Sequence, residues 1–442
     1  MNHSFADKKL TRRNFLATAG TAVALPTILP LSVFGRDNRP APSGRIVMGV
    51  VGCGGMGNGN TDAFLGKKEC QVVAACDVDK NHLRDMVNKV NGRYKNQDCK
   101  GYSDLSQLMA RTDIDAVMLA LPDHWHALAA VEAANHGKDI YGEKPLARTI
   151  VEQQSIVRAV QKNKRIWQTG SWQRSQSNFH KAAEIVRNGL IGKIKRVEVG
   201  LPDGPFDHPE LNKPMPGTTP PPELDYDRWI GPSTLLPYIE QRTHYQWRWN
   251  YNTGGGQLLD WIGHHCDIAH WGMDCDRSGP LEIEGRGEFP PKDAVWNSCT
   301  KYRIELKYPN DIEMTIGGGQ PDIQGGAKWI GTDGWVRVDR GVFESSKAEW
   351  RDYNELPEEL RKVKLYKSTD HHQNFLDCVK SRQPTVTPAE TAHHSAIPGH
   401  LGLISMLVGR KLKWDSSRER IIGDPEASKL MGRDYRAPWK LA

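Results

Sequence analysis

This 442-residue chain lacks several features that would direct its reading elsewhere. Its eight cysteines, Cys53, Cys70, Cys76, Cys99, Cys266, Cys275, Cys299 and Cys378, include no C-x-x-C pair. That absence argues against a zinc ribbon or a thioredoxin-type site, and the wide dispersal does not resemble a disulfide scaffold. Charge of one sign is also lacking. Six of the 59 basic residues and two of the 53 acidic ones lie in residues 1–40, so the rest of the chain carries 53 against 51. A body that close to neutral gives no electrostatic case for nucleic acid or a membrane surface. There is no internal repeat and no low-complexity tract.

The one long apolar run lies near the start. Thr11-Arg12-Arg13-Asn14-Phe15-Leu16-Ala17 leads into apolar sequence up to Phe34, interrupted by Gly20, Pro26 and Pro30. Paired arginines before a moderately apolar stretch form the twin-arginine export pattern, and the interruptions argue against a membrane span. Residues 1–40 are therefore expected to be an export signal and linker, and the protein to act in the periplasm or outside the cell. Nothing in the sequence ties it to a membrane once the signal is gone.

From Arg45 short apolar runs alternate with helical periodicity. Strands are expected at Ile46–Val51, Gln71–Cys76, Ala116–Leu121, Asp139–Tyr141 and Ile166–Thr169, with helices between them. Such alternation predicts a doubly wound parallel sheet covered on both faces, over residues 44–170. Beyond Gly170 the pattern turns to Pro-rich loops, a helix around Leu258–Trp271, and strands near 281–287, 300–308, 312–316 and 334–338. That succession predicts a second, α+β domain over residues 171–442, with an open and mostly antiparallel sheet.

The first strand runs into Gly52-Cys53-Gly54-Gly55-Met56-Gly57, a G-x-G-x-x-G turn. Gly52 permits the tight turn, Gly54 and its neighbours let backbone approach a pyrophosphate, and Gly57 lets the next helix pack closely. Asp77 ends the second strand 20 residues past Gly57, where a carboxylate binds ribose hydroxyls and repels a 2′-phosphate. NAD is the expected cofactor.

Three further motifs follow. Leu121-Pro122-Asp123-His124-Trp125-His126 closes the fourth strand, and Gly142-Glu143-Lys144-Pro145 closes the fifth. Gly254-Gly255-Gly256 precedes Asp260, His264 and Asp267 in the second domain. Together these resemble the Gfo/Idh/MocA oxidoreductases (glucose–fructose oxidoreductase, inositol dehydrogenase and relatives). One departure is that this family often has Thr-Pro-Asn where this chain has Leu121-Pro122-Asp123.

The resemblance implies that Lys144 works beside the nicotinamide, with Glu143 near its ribose. It also implies cofactor contacts from Leu121, Pro122, His126, Gln173 and Arg174, and a cis bond before Pro145. Asp260 and His264, four apart, share one helix face, so a carboxylate–imidazole couple is expected there. Lys144 or His264 would take the hydroxyl proton while hydride leaves the same carbon. Arg174 and Trp249, one of five Trp in residues 229–271, are further substrate candidates. Ligation by His264, Asp267 and His270 or His126 is a weaker alternative, and no metal is expected.

The expectation is an NAD-dependent oxidoreductase acting on a sugar, polyol or glycoside. Outside the cytoplasm free NAD is scarce, so a tightly held, internally recycled cofactor is expected. One alternative is a glycoside hydrolase that oxidises its substrate transiently and cleaves it by elimination. Another is a non-catalytic sugar-binding protein that retains NAD. By analogy with the family, a homo-oligomer is expected.

Overall fold

β1 (Ile46–Val51) is almost wholly buried, as a strand covered on both faces must be. The computed structural model describes residues 44–205 and 208–441. The expected export signal lies outside them. Residues from 46 onward form one compact unit of two lobes.

In the first lobe β1 is joined by β2 (Cys70–Cys76), β3 (Lys100–Tyr102), β4 (Ala116–Leu119), β5 (Asp139–Gly142) and β6 (Trp167–Thr169), in the order β3-β2-β1-β4-β5-β6. Every pairing is parallel. Residue alternation sends Met48, Val50, Val72 and Met118 into one apolar cluster, and Val51, Ala74, Val117 and Leu119 into the other. Helices α1 (Gly55–Leu65) and α2 (Lys80–Tyr94) cover the first face. α3 (Leu105–Met109), α4 (Asp123–Asn135) and α5 (Ile150–Lys162) cover the second. This is the expected doubly wound sheet, with one addition: β3 is too short and too exposed to show a strand pattern in sequence.

The second lobe contains α6 (Ser177–Arg187), β7 (Ile194–Leu201), α7 (Tyr226–Ile230), α8 (Gly256–Met273) and β8 (Glu282–Glu288). It continues with β9 (Lys301–Lys307), β10 (Glu313–Gly318), β11 (Gly326–Gly331), β12 (Trp335–Asp339) and β13 (Val342–Ser345). The chain ends through α9 (His371–Ser381), α10 (Ala389–Val408), β14 (Leu412–Asp415) and β15 (Arg420–Ile421). The nine strands run in the order β13-β12-β11-β7-β10-β9-β8-β14-β15, and only β7 and β10 pair in parallel. The sheet is therefore open and mostly antiparallel, as expected.

β7 sits near its centre, yet the sequence reading placed no strand there. Lys195 and Arg196 open it with exposed charge, and only Val197, Val199 and Leu201 alternate inward. One sheet face packs on α6, α8 and α10. The other carries surface ion pairs such as Arg303 with Glu305 and Asp322. Near its end the chain returns to the first lobe, where Phe375 and Leu376 of α9 join the cluster under β1 and β2. Among the described residues no helix is long and apolar enough to cross a membrane.

Candidate active site

The glycine turn shows why each glycine is there. Gly52 has φ +87°, and a Cβ on it would fall 2.2 Å from the Ala120 carbonyl oxygen. A Cβ on Gly57 would fall 1.9 Å from the Gly52 oxygen, so the helix can approach the strand only without one. Gly54 and Gly55 face open space instead. Gly54 caps α1 with no side chain over the helix N-terminus, and Met56 beside it is 48% exposed. The result is a bare, positively polarised cradle of the kind that holds phosphate. Asp77 braces it, accepting the Cys53 N–H at 2.7 Å and the Asp79 N–H at 2.8 Å, one on each oxygen.

The turn after β4 lies beside this cradle. Leu121 reaches toward Gly52, and Pro122 caps α4. His126 corrects an expectation. Its Nδ1 lies 2.7 Å from the Pro145 carbonyl and its Nε2 lies 2.7 Å from the Leu121 carbonyl. A neutral imidazole donates to one of these, so the buried ring ties together the turns after β4 and β5, leaving no nitrogen for a cofactor.

Glu143 and Lys144 close β5, and the Lys144–Pro145 bond is cis. Asn60 on α1 donates to Glu143 at 2.8 Å and accepts from His372 of α9 at 3.0 Å. Burial raises the Glu143 carboxyl despite the nearby Lys144 charge. Lys144 crosses to the second lobe, its Nζ 2.8 Å from the Asp260 carbonyl oxygen and 3.0 Å from Asp260 Oδ1. Arg248 donates to the same oxygen at 3.1 Å. Burial would raise the Asp260 carboxyl, but Lys144 and Arg248 outweigh it and hold the carboxyl below its ordinary range. Gly263, on the next turn of α8, makes room, because a Cβ there would come 3.1 Å from Lys144 Cβ.

The expected Asp260–His264 couple does not form. The helix puts both on one side, but two cations capture Asp260, and His264 Nδ1 has no partner. His264 is wedged between Trp172 and Trp261, whose centroids lie 6.3 and 5.4 Å away. Arg340, from the β12–β13 turn, stacks at 4.5 and 4.6 Å on the same two rings. Burial, then the Lys144 and Arg340 charges, push the imidazole well below its ordinary pKa, so it is neutral at neutral pH.

Three residues of this wall escaped the sequence reading. Arg340 follows an ordinary strand and has no motif. Arg248 sits in a tryptophan-rich stretch and belongs to no motif. Asp123 was noted only as a departure from the family motif. It is 1% exposed, with Oδ1 unpartnered. Burial and the neighbouring Asp260 raise its pKa to about 7, against the pull of Arg148, Arg248 and Lys144.

Gln173 is fully buried, and neither its amide nitrogen nor its oxygen has a partner. A buried primary amide left open on both sides suits a ligand with a matching carboxamide, such as nicotinamide. With the glycine cradle, it makes the residues present a fit for a dinucleotide. Arg174, beside it, does not point to a ligand. It is sealed between Asp267 and Asp276 and lies 5.0 Å over Trp271, because burial leaves a guanidinium no other way to satisfy its donors. Trp249 is likewise a core residue, packed with Leu211, Ile239, Val295 and Trp296. The alternative metal set is not gathered: Asp267 holds Arg174, His270 bonds Tyr308, and His126 is a strut.

Comparison with known proteins comes in two halves. Residues 46–171 match the model described as "Oxidoreductase family, NAD-binding Rossmann fold" (GFO_IDH_MocA). Residues 175–441 match "Oxidoreductase family, C-terminal alpha/beta domain". A glycosyl hydrolase family 109 protein of Shewanella pealeana is 30% identical over 210 residues, 42% of this chain and 44% of that protein. A myo-inositol 2-dehydrogenase of Thermotoga maritima is 28% identical over 146 residues, 33% of this chain and 42% of that one. The chain thus spans less than half the length of these curated relatives. The WlbA dehydrogenase of Bordetella pertussis, solved with NADH and UDP-GlcNAcA, shares the fold at a TM-score of 0.62 and 17% identity, over 84% of this chain and 99% of that one.

Proposed function

This chain belongs to the Gfo/Idh/MocA oxidoreductase family, with an NAD-binding Rossmann domain, and from that premise we propose that it oxidises a secondary alcohol of a sugar, polyol or glycoside. The observation that carries the proposal is the Lys144–Asp260 bridge between the lobes, with an unpaired, neutral imidazole near it on α8. Bound NAD supplies the hydride acceptor. Lys144, held by Asp260, which Arg248 also binds, donates a hydrogen bond to the substrate oxygen. His264 receives the hydroxyl proton on Nδ1 as the carbonyl forms. The imidazole is neutral with Nδ1 unpartnered, and the Lys144–Asp260 bridge fixes the donor so that little reorganisation is needed. Trp172, Trp261 and Arg340 give the pocket flat faces and a donor suited to a sugar ring.

Asp77 favours NAD over NADP. The arginine pair at Arg12-Arg13 supports export as a folded, cofactor-loaded protein. A cofactor that cannot be replenished outside the cytoplasm must be held tightly and returned to its starting state. The purified protein should therefore carry NAD, and sugars should change its near-ultraviolet absorbance as bound NADH forms. A second reading, glycoside cleavage through transient oxidation at C3 and elimination, is favoured by the similarity to the family 109 protein. It predicts release of a reducing end with no net NADH. A panel showing neither change would leave a sugar-binding protein that retains NAD. In solution we expect a homo-oligomer paired through the open sheet face.

A further inference from the structure

The turn after β2 carries a second cluster that the proposed reaction does not use. Asp79 caps α2, and its Oδ1 accepts the backbone N–H groups of Asn81 and His82 at 2.8 and 3.1 Å. That leaves Oδ2 free of the helix. His82 lies on the first turn of the same helix, and His244 arrives from the second lobe. One ligand atom from each residue lies within 4.8 Å of the other two.

The backbone around the cluster is fastened on both sides. Asp79 forms a β-bridge with Leu224, Lys80 N–H donates to the Glu223 carbonyl at 3.0 Å, and Asp225 N–H donates to the Val78 carbonyl at 3.0 Å. His244 has φ +48°, a left-handed conformation that is unfavourable for a non-glycine residue. The chain holds the imidazole there despite that cost.

The spacing then discriminates between two explanations. His244 Nε2 lies 3.6 Å from Asp79 Oδ2, too far for a hydrogen bond. In a tetrahedral zinc site with bonds of roughly 2.0–2.1 Å, neighbouring ligand atoms are roughly 3.3–3.5 Å apart. The pair thus lies about 0.1 Å beyond the edge length of a coordination tetrahedron. The two imidazole rings stand 5.0 Å apart and tilted by 60°, neither stacked nor bonded to one another. Asp77 and Glu240 are near enough to act on His244, so the surroundings favour a cation.

We propose that Asp79, His82 and His244 form a structural zinc-class site that clamps the second lobe onto the adenosine end of the nucleotide crevice. Imidazole and carboxylate donors suit Zn²⁺ and its stand-in Co²⁺, and the half-exposed His244 leaves a fourth position for water. The site takes no part in hydride transfer, so it stands or falls apart from the proposed reaction.

The test uses the NAD-loaded, chelator-stripped full chain, titrated with Zn²⁺ and with Co²⁺. Expected are one equivalent bound per chain, the intense visible bands of four-coordinate cobalt, and an unfolding midpoint that rises with zinc. His82→Ala and His244→Ala should each weaken binding by roughly a hundredfold or more and abolish the zinc-dependent rise. Their metal-free midpoints report separately whether the fold is intact. Absence of stoichiometric binding, or equal binding by both variants, overturns the proposal. So does a His244→Ala variant that only speeds NAD release while the parent ignores metal, since the rings would then serve the adenosine.

Discussion

Two carboxylates on α8, seven residues apart, meet two cations from the loops that follow β5 and β6. Asp267 is gripped by Arg174 through two bonds of 2.7 and 2.9 Å, Asp276 takes two more, and the side chains are 2% and 1% exposed. Asp260 meets Lys144 at 3.0 Å through one carboxylate oxygen, with side chains 8% and 12% exposed. Around the first pair every guanidinium nitrogen has a partner. Near the second, Asp123 Oδ1 and His264 Nδ1 have none. A buried ion pair whose donors are all satisfied holds a structure together. One whose cation keeps a donor unused, as the third N–H of Lys144 is, can still take a ligand.

Breaking the two pairs separately should give opposite failures. Lys144→Ala should lower turnover by about 10³-fold or more while NAD and the unfolding midpoint are retained. Full activity in that variant would remove the catalytic assignment. Arg174→Ala should instead cost about 3–5 kcal/mol of stability, since it strands Asp267 in the core. The fraction that folds should keep near-normal turnover, and denaturant unfolding alongside kinetics would separate the two.

Asp123 sharpens the contrast. Its carboxyl has an ordinary pKa of 3.8 and is raised to about 7 by burial and Asp260. The folded chain keeps a proton that the unfolded chain releases, so the stability from this group is complete below pH ~4. It is lost as pH rises toward 7, at up to about 1.4 kcal/mol per pH unit. Asp123→Asn should flatten that slope, and unfolding curves at pH 5 and pH 7 that stay parallel to the parent would contradict it. The smallest effect belongs to the solvent side of α2. Arg84→Ala removes a solvent-screened pair with Asp85 and should leave the unfolding midpoint where it was.

Much of this was readable beforehand. Five of the six parallel strands follow from apolar runs alternating with helical ones, and the glycine turn follows from its spacing, with Gly52 and Gly57 at the two positions where a Cβ would strike backbone. β7 was not readable, since its first residues are charged and its inward positions show only beside β10 and β11. Within the site, the motifs located Lys144, Asp260 and His264 but paired the wrong two. Helical spacing says which residues share a face, and it is silent about the cation that a neighbouring lobe brings to that face. Arg174 and His126 were misassigned for the same reason, since a buried Arg or His looks alike in sequence whether it faces a ligand or a carbonyl.

What the sequence determined by itself is therefore local: strand and helix order, the glycines that a tight turn demands, and the set of chemically able residues. Tertiary structure decided the partnerships, because only packing of distant segments brings Lys144 to Asp260, Arg340 to Trp172 and His244 to Asp79. A polar side chain becomes strut or reactant according to how many of its hydrogen bonds the surrounding fold has already supplied.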